Sequence, residues 1–458
     1  MPDSKNKELI DDIEKNYENS KETLKKLVAI PGVAWDSYNP KDQEKMAKVT
    51  AKLLTEAGLK NVEILSVKDG DVQGKPAVLG SLPAADGYPT VLLYAHHDVQ
   101  PEGDPKLWNT PPFEAVEKNG RMYGRGAADD KAGIMVHLNA IRAMVNTYGD
   151  NLKLGIKVFI EGEEEAGSPT FRKFLDTYKD QLEADAIIVA DSGNWETGTP
   201  ALTTTLRGVH SAVMELEVLD HAVHSGMYSG PAIDALSIMC KIIASFHDEK
   251  GNVAIEGLVS YDDSEIDMKE ETFRQDSSVL PDVELAGEGS ITSRIWTKPS
   301  MTLIGFDAPA VDVASNTLIP KARACYSLRL APGQDPQEAF ELVQKHVKKH
   351  APLGIDVKFS HTEFGKPFKT DLTQKFATAM KESLDEAWGK QSVETGVGGS
   401  IPFTADLKEL YPEAEILITG VEDPDSRAHS PNESLELDDW KKAMIAETLF
   451  LAKCQDNQ

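Results

Sequence analysis

The sequence predicts an α/β fold: a mainly parallel central sheet flanked by helices, with a smaller α+β unit inserted. Two observations carry this. Short apolar runs bounded by turn residues, at 90–95, 154–160, 186–190 and 415–419, alternate with stretches of helical periodicity, as buried strands of such a sheet do. Between about 203 and 368 the texture changes to strands of alternating polarity, such as SAVMELEV and ARACYSLRL, and the first pattern resumes after 371. The length of 458 residues allows two or three domains at roughly 150 residues each. The expected division is a discontinuous domain of 1–202 and 371–458, with 203–370 as the insert.

Each element has its reason. Leu9, Ile10, Ile13, Tyr17, Leu24, Leu27 and Val28 recur at helical spacing among charged residues, so the first segment is a helix. Met46, Val49, Leu53 and Leu54 mark a second, which stops near Gly58. A third is expected over 131–145, directly after the loop GRGAADDKAG. Inside the insert, helices at 231–246 and 336–350 separate the alternating strands. There is no internal repeat and no long linker.

Charge narrows the partners. With 48 basic and 75 acidic residues the net charge is −27, which repels phosphate backbones and anionic bilayers and argues against nucleic-acid or membrane partners. The longest apolar runs fall far short of the roughly 18 residues a membrane helix needs. Cys240, Cys325 and Cys454 are far apart and form no CxxC pair, and the N-terminal segment has no apolar signal region. A reduced, cytoplasmic protein is expected.

Chemistry collects where the apolar runs end. VLLYA leads into His96-His97-Asp98, KVFI into Glu161-Gly162-Glu163-Glu164-Glu165, and AIIVA into Asp191-Ser192-Gly193. EILIT leads into a loop ending Ala428-His429-Ser430-Pro431-Asn432-Glu433, and Asp129-Asp130 sit just ahead of a helix. In open α/β sheets ligands bind beyond the carboxyl ends of the strands, so these groups can converge on one crevice. Taken singly, each is more often a solvated turn or a loop histidine. Together, His, Asp and Glu form the donor set of a divalent metal pair, in which a carboxylate bridges and a neighbouring acid takes the proton of an attacking water. GRGAADDKAG contains neither GxGxxG nor GxxxxGK[ST], which excludes a nucleotide loop.

In this order and spacing, AHHDV, GRGAADDKAG, EEEAGS, VADSG and AHSPNE resemble the M20 family of dinuclear zinc metallopeptidases, most of all its carnosinase-like dipeptidase branch. LRGVH, HSGMYSGP, IPKARACYSLRL and GGSIPF extend the resemblance over essentially the whole chain. It implies a metal-binding catalytic domain and, in the insert, a lid and dimerisation domain. It makes His96, Asp129 and Asp191 ligands of one metal and Asp129, Glu165 and His429 ligands of the other, with Asp129 bridging. Zinc is the ion implied, and manganese or cobalt suit the same ligands.

The resemblance further implies hydrolysis of small peptides, dipeptides above all, by a hydroxide bound between the two ions. Glu164 would be general base and acid, and Asp98 the partner that orients His96. His224 would stabilise the oxyanion in the partner subunit of a homodimer, and Arg329 would clamp the substrate carboxylate, helped by backbone N–H groups around Gly399 and Ser400. Asp rather than Glu at 191 accompanies aminopeptidase and dipeptidase members. The remaining histidines match no ligand position.

Two departures stand out. Ala132 occupies the place after Lys131 where the family usually has Gly, and the second-strand run carries an extra acid. The alternative within hydrolases is an N-acyl amino-acid deacylase or desuccinylase on the same site. Outside them it is a non-catalytic binding protein of this fold, which the presence of every ligand and of Glu164 argues against.

Overall fold

The computed structural model describes residues 2–262, 264–399 and 402–456. Helices α1 (Pro2–Val28) and α2 (Pro40–Glu56) precede strands β1 (Lys60–Leu65), β2 (Ala77–Leu82) and β3 (Thr90–His96). Next come α3 (Lys131–Tyr148), β4 (Gly155–Glu161), α4 (Phe171–Leu182), β5 (Ala186–Val189) and β6 (Ala201–Leu206). They are followed by β7 (Gly208–Glu217), α5 (Ala235–Ala244), β8 (Ser300–Asp307), β9 (Lys321–Leu330), α6 (Pro336–His350) and β10 (Lys358–Gly365). The chain ends with α7 (Lys375–Trp388), α8 (Pro402–Leu410), β11 (Glu415–Ile418) and α9 (Leu437–Asp456).

Two compact units result. The first comprises Met1–Thr204, Thr370–Thr395 and Asp406–Gln458, and the second Thr205–Lys369 and Gly396–Ala405. Sequence continuity would leave Gly396–Ala405 with the first unit. It groups instead with the second, where Arg207 donates from its backbone N–H to Val397 O at 3.2 Å and from Nε to Gly398 O at 2.9 Å.

In the first unit the strand order is β1-β2-β4-β3-β5-β11-β6. The inner strands β4, β3, β5 and β11 run parallel, while β1, β2 and β6 are antiparallel to their neighbours. The register pairs Ala95 with Ile160, Tyr94 with Val189, and Val189 with Ile418, so the four parallel strands finish side by side. Their buried apolar runs carry no alternation because both faces of the sheet are covered. Helix α3 is buried on nearly every side, and Trp440 of α9, itself fully buried, donates from Nε1 to Ala132 O at 3.1 Å. Truncating a tryptophan so enclosed costs roughly 3–5 kcal/mol.

The second unit is an antiparallel sheet in the order β8-β9-β7-β10. In β9 the buried Ala322, Ala324, Tyr326, Leu328 and Leu330 alternate with Lys321, Arg323, Cys325, Ser327 and Arg329, the period of a sheet with one covered face. The buried set forms a core with Ile238, Met239 and Ile242 of α5 and with Ala339, Val343 and Val347 of α6. Helix α5 is shorter than the predicted 231–246. Asp234 stays extended and caps it, accepting from Ser237 N at 2.9 Å. Among the described residues no helix is long and apolar enough to cross a membrane.

Candidate metal centre

The sheet delivers the site from the first unit. His96 is the last residue of β3, Glu164 and Glu165 open a single 3-10 turn after β4, and Asp191 follows β5. His429 lies in the loop after β11, in a left-handed backbone conformation with φ of 62°. Asp129 precedes Asp130, the N-cap of α3. Asp130 makes no capping bond with its side chain, which accepts instead from the His96 backbone N–H at 3.1 Å and ties the helix to the strand end. The loops beyond β5 and β11 cross closely: a Cβ on Gly420 would lie 1.5 Å from Ser192 O, so only glycine fits there.

Asp129 is the hinge of the geometry. Its Oδ1 is 3.0 Å from His96 Nε2, and its Oδ2 is 3.0 Å from His429 Nε2. Asp191 Oδ1 stands 3.9 Å from His96 Nε2, and Glu165 Oε2 stands 3.1 Å from His429 Nε2. The other face of His96 belongs to Asp98, whose backbone oxygen is 3.1 Å and whose Oδ1 is 3.4 Å from Nδ1. Asp98 also accepts the backbone N–H groups of Glu164 at 3.2 Å and Glu165 at 3.0 Å. One buried carboxylate thus orients an imidazole and both acids of the turn.

Burial and mutual repulsion make this cluster avid for positive charge. Glu164 is pushed up to about 9, first by burial and then by the charge of Asp191. Burial raises Asp191 to about 6. Hydrogen bonds to Asp129 and Glu165 lift His429 to about 11. Burial also opposes ionisation of Asp129, yet hydrogen bonds from His429 and His96 hold its carboxyl well below the usual range.

The donors fit metal cations. Ligand atoms of His96, Asp129 and Glu165 all lie within 4.8 Å of one another, as do those of His96, Glu164 and Asp191. Ligands of a tetrahedral zinc, bound at about 2.1 Å, stand roughly 3.4 Å apart, a spacing these groups already approach. The second set contains Glu164, so spacing alone allows this residue as ligand or as base.

Residues 92–453 match the model of peptidase family M20/M25/M40. The chain belongs to this family. It is therefore a hydrolase acting on peptide bonds. It is 37% identical to the cysteinylglycine-S-conjugate dipeptidase of Corynebacterium striatum over 89% of each chain. It is 25% identical to human Beta-Ala-His dipeptidase, over 90% of this chain and 86% of that one. The solved structure of the dipeptidase Dug1p from Saccharomyces cerevisiae superposes with a TM-score of 0.74 at 23% identity, covering 99% of both chains, and shares the fold.

The M20 site also uses residues that sequence reasoning passed over. Gln100 grips Glu165, with its N–H on Oε1 at 3.1 Å and its Nε2 on Oε2 at 2.7 Å. Glu433, quoted within AHSPNE but given no role, is fully enclosed. It accepts from the N–H groups of Gly126, Ala128 and Asp129 and from Arg125 Nη1 at 2.7 Å, fixing the loop that presents Asp129. Glu422 adds a further acid, whose carboxyl pKa is raised by burial and then by the charges of Asp129 and Asp191. The two acids of the second-strand run without an assigned role point elsewhere: Glu161 accepts from Tyr94 Oη at 2.6 Å, and Glu163 accepts from Lys75 N and from Thr170.

The remaining sequence candidates belong to the second unit. His224 is exposed in the short strand Val223–His224, paired with Thr317–Leu318. Arg329 is partly buried in β9, and Gly399 sits in the returning segment. Ser400 lies outside the described residues.

Proposed function

We propose that this M20 enzyme cleaves the peptide bond of dipeptides with free termini, using two divalent cations held at the strand ends. The observation that carries the reading is the division of Asp129, one oxygen toward His96 and the other toward His429. In this reading His96, Asp129 and Asp191 hold one ion, and Asp129, Glu165 and His429 hold the other. Zinc is the expected metal, with manganese and cobalt compatible. When bound, the ions polarise the scissile carbonyl and lower the pKa of water.

The chain's own groups do the rest. Glu164, at the start of the turn after β4 beside Asp191 and His96, accepts the proton of the attacking water and returns it to the leaving amine. Asp98 is a positioning residue, holding the His96 ring and the Glu164 backbone together. Arg329 binds the substrate's terminal carboxylate as a planar fork, with backbone N–H groups at Gly399 and Ser400 assisting. In a homodimer joined through the second unit, His224 serves the oxyanion of the partner subunit's site. Its exposure suits that duty. The unpaired Cys240, Cys325 and Cys454 suit a reducing, cytoplasmic compartment.

The dipeptide class rests on the relatives, named for cysteinylglycine conjugates and for β-alanyl-histidine. The test is a panel of free dipeptides and N-acyl amino acids, assayed with zinc, manganese or cobalt after chelator treatment. Metal-dependent turnover of the dipeptides is expected. Preferential cleavage of N-acyl amino acids, or full activity in chelator, would overturn the proposal.

A further inference from the structure

The second unit contains two neighbouring guanidiniums that no carboxylate among the described residues pairs with. Arg207, immediately before β7, is only 8% exposed. Arg329 pairs in register with Ser300 across β9 and β8, and the hydroxyl of that same Ser300 accepts from Arg207 Nη1 at 3.1 Å. Burial, and next the charge of Arg329, lower the pKa of Arg207 to about 10, with no acid acting on it. Among the described residues neither arginine forms an ion pair with a carboxylate.

The bonds Arg207 does make go to neutral acceptors. Nε donates to Gly398 O at 2.9 Å, and Nη1 reaches Arg294 O and Lys298 O at 3.4 Å. Nη2 has no acceptor among the described residues. It lies beside Gly398, where a Cβ would come within 3.1 Å of Nη2 and 3.0 Å of Ile295 O. Glycine at this position leaves that edge of the guanidinium uncovered. A buried cation beside a second cation, with neither paired, is costly unless a bound anion supplies the missing charge.

We infer that Arg207 is a second carboxylate-binding residue: it engages the substrate's terminal carboxylate from Nη2, jointly with Arg329, while its Nε holds the Gly398–Gly399 backbone in place. The inference deepens the reading above and rests on its assignment of Arg329. A planar fork can serve both the ligand and the Gly398 carbonyl. A lysine could keep the charge but not both bonds.

The experiment measures kcat and KM of the full-length, metal-loaded protein on one dipeptide and on its C-terminal amide. Arg207→Met is expected to raise KM for the free acid about ten-fold or more beyond whatever change it makes in KM for the amide, the scale of a charge-assisted hydrogen bond. Arg207→Lys should restore part of the difference. Equal effects on acid and amide, or none, would reduce Arg207 to a structural clamp and overturn the inference, provided Arg329→Met still discriminates. If Arg329→Met does not discriminate either, the carboxylate reading itself falls. Should Arg207→Met not fold, Arg207→Lys decides alone: a selective rise in KM for the acid supports the inference, and parallel shifts overturn it.

Discussion

The strand-end cluster of the first unit and the arginine pair of the second are opposites in charge. At the strand ends Asp98, Asp129, Glu164, Glu165 and Asp191 gather about the imidazoles of His96 and His429. Beside β7 and β9, Arg207 and Arg329 form no ion pair with a carboxylate among the described residues. A folded chain ordinarily satisfies its buried charges from within, and this one does so at His137 and Glu447, where Nδ1 lies 2.8 Å from the carboxylate. The contrast teaches that the sign of an unmatched buried charge names the sign of what binds there. Cations suit the first place and a carboxylate the second. The overall charge of −27 says nothing of either.

The largest expected effect tests whether Glu164 belongs to the metal-holding acids or stands apart from them. Glu164→Gln should lower kcat by roughly 10²–10⁴-fold, the usual contribution of a general base, with KM and bound metal little changed. Steady-state kinetics alongside elemental analysis of the purified variant checks both. A loss of metal in step with turnover would make Glu164 a ligand, as its spacing to His96 and Asp191 also permits.

A smaller effect is expected one layer out. Among the described residues Glu433 makes no hydrogen bond to a candidate donor side chain, yet it receives the Asp129 N–H at 3.1 Å together with two neighbouring N–H groups and Arg125. Glu433→Gln replaces an acceptor with a donor facing those N–H groups. Metal affinity should fall about 10–100-fold, the range for partners that orient ligands. Titration with a competing chelator measures it. Unchanged affinity would mean that the Asp129 loop is held by packing alone.

Much of this was legible in the sequence, for physical reasons that also set the limit. The parallel strands announce themselves because burial on both faces demands unbroken apolar runs such as VLLYA and AIIV. Chemistry at their ends follows from the topology of such sheets. Composition and strand position alone leave the choice among Glu161, Glu163, Glu164 and Glu165 open, and it is the resemblance to the M20 pattern that selects Glu164 and Glu165. Glu163 is drawn away by Lys75, a residue 88 positions distant, and Glu161 by Tyr94, 67 positions distant. Gln100 and Glu433 were invisible for the same reason: their partners exist only once the chain has folded. The segment Gly396–Ala405 joins the second unit through Arg207, 191 residues from the carbonyl it holds.

The smallest effect on catalysis is expected at the balanced pair, the control for the whole contrast. His137 is fully buried, with Nδ1 at 2.8 and 2.9 Å from the two oxygens of Glu447 and Nε2 at 3.0 Å from Tyr94 O. Acceptors at both nitrogens favour the imidazolium. Burial alone would lower its pKa, but the charge and hydrogen bond of Glu447 raise it above the ordinary histidine value. A raised folded-state pKa contributes stability that is complete below the unfolded value of about 6.5 and fades as pH climbs through the folded one. His137→Gln should therefore cost most near pH 6, roughly 3 kcal/mol for breaking a buried pair, and progressively less under alkaline conditions. Denaturant unfolding of both proteins across that range measures the difference, while kcat/KM of the folded variant should stay within about two-fold. A cost independent of pH would show that the imidazole is neutral. The pair would then be a hydrogen bond between uncharged ring and acid, and matched charge would no longer be what separates it from the two binding places.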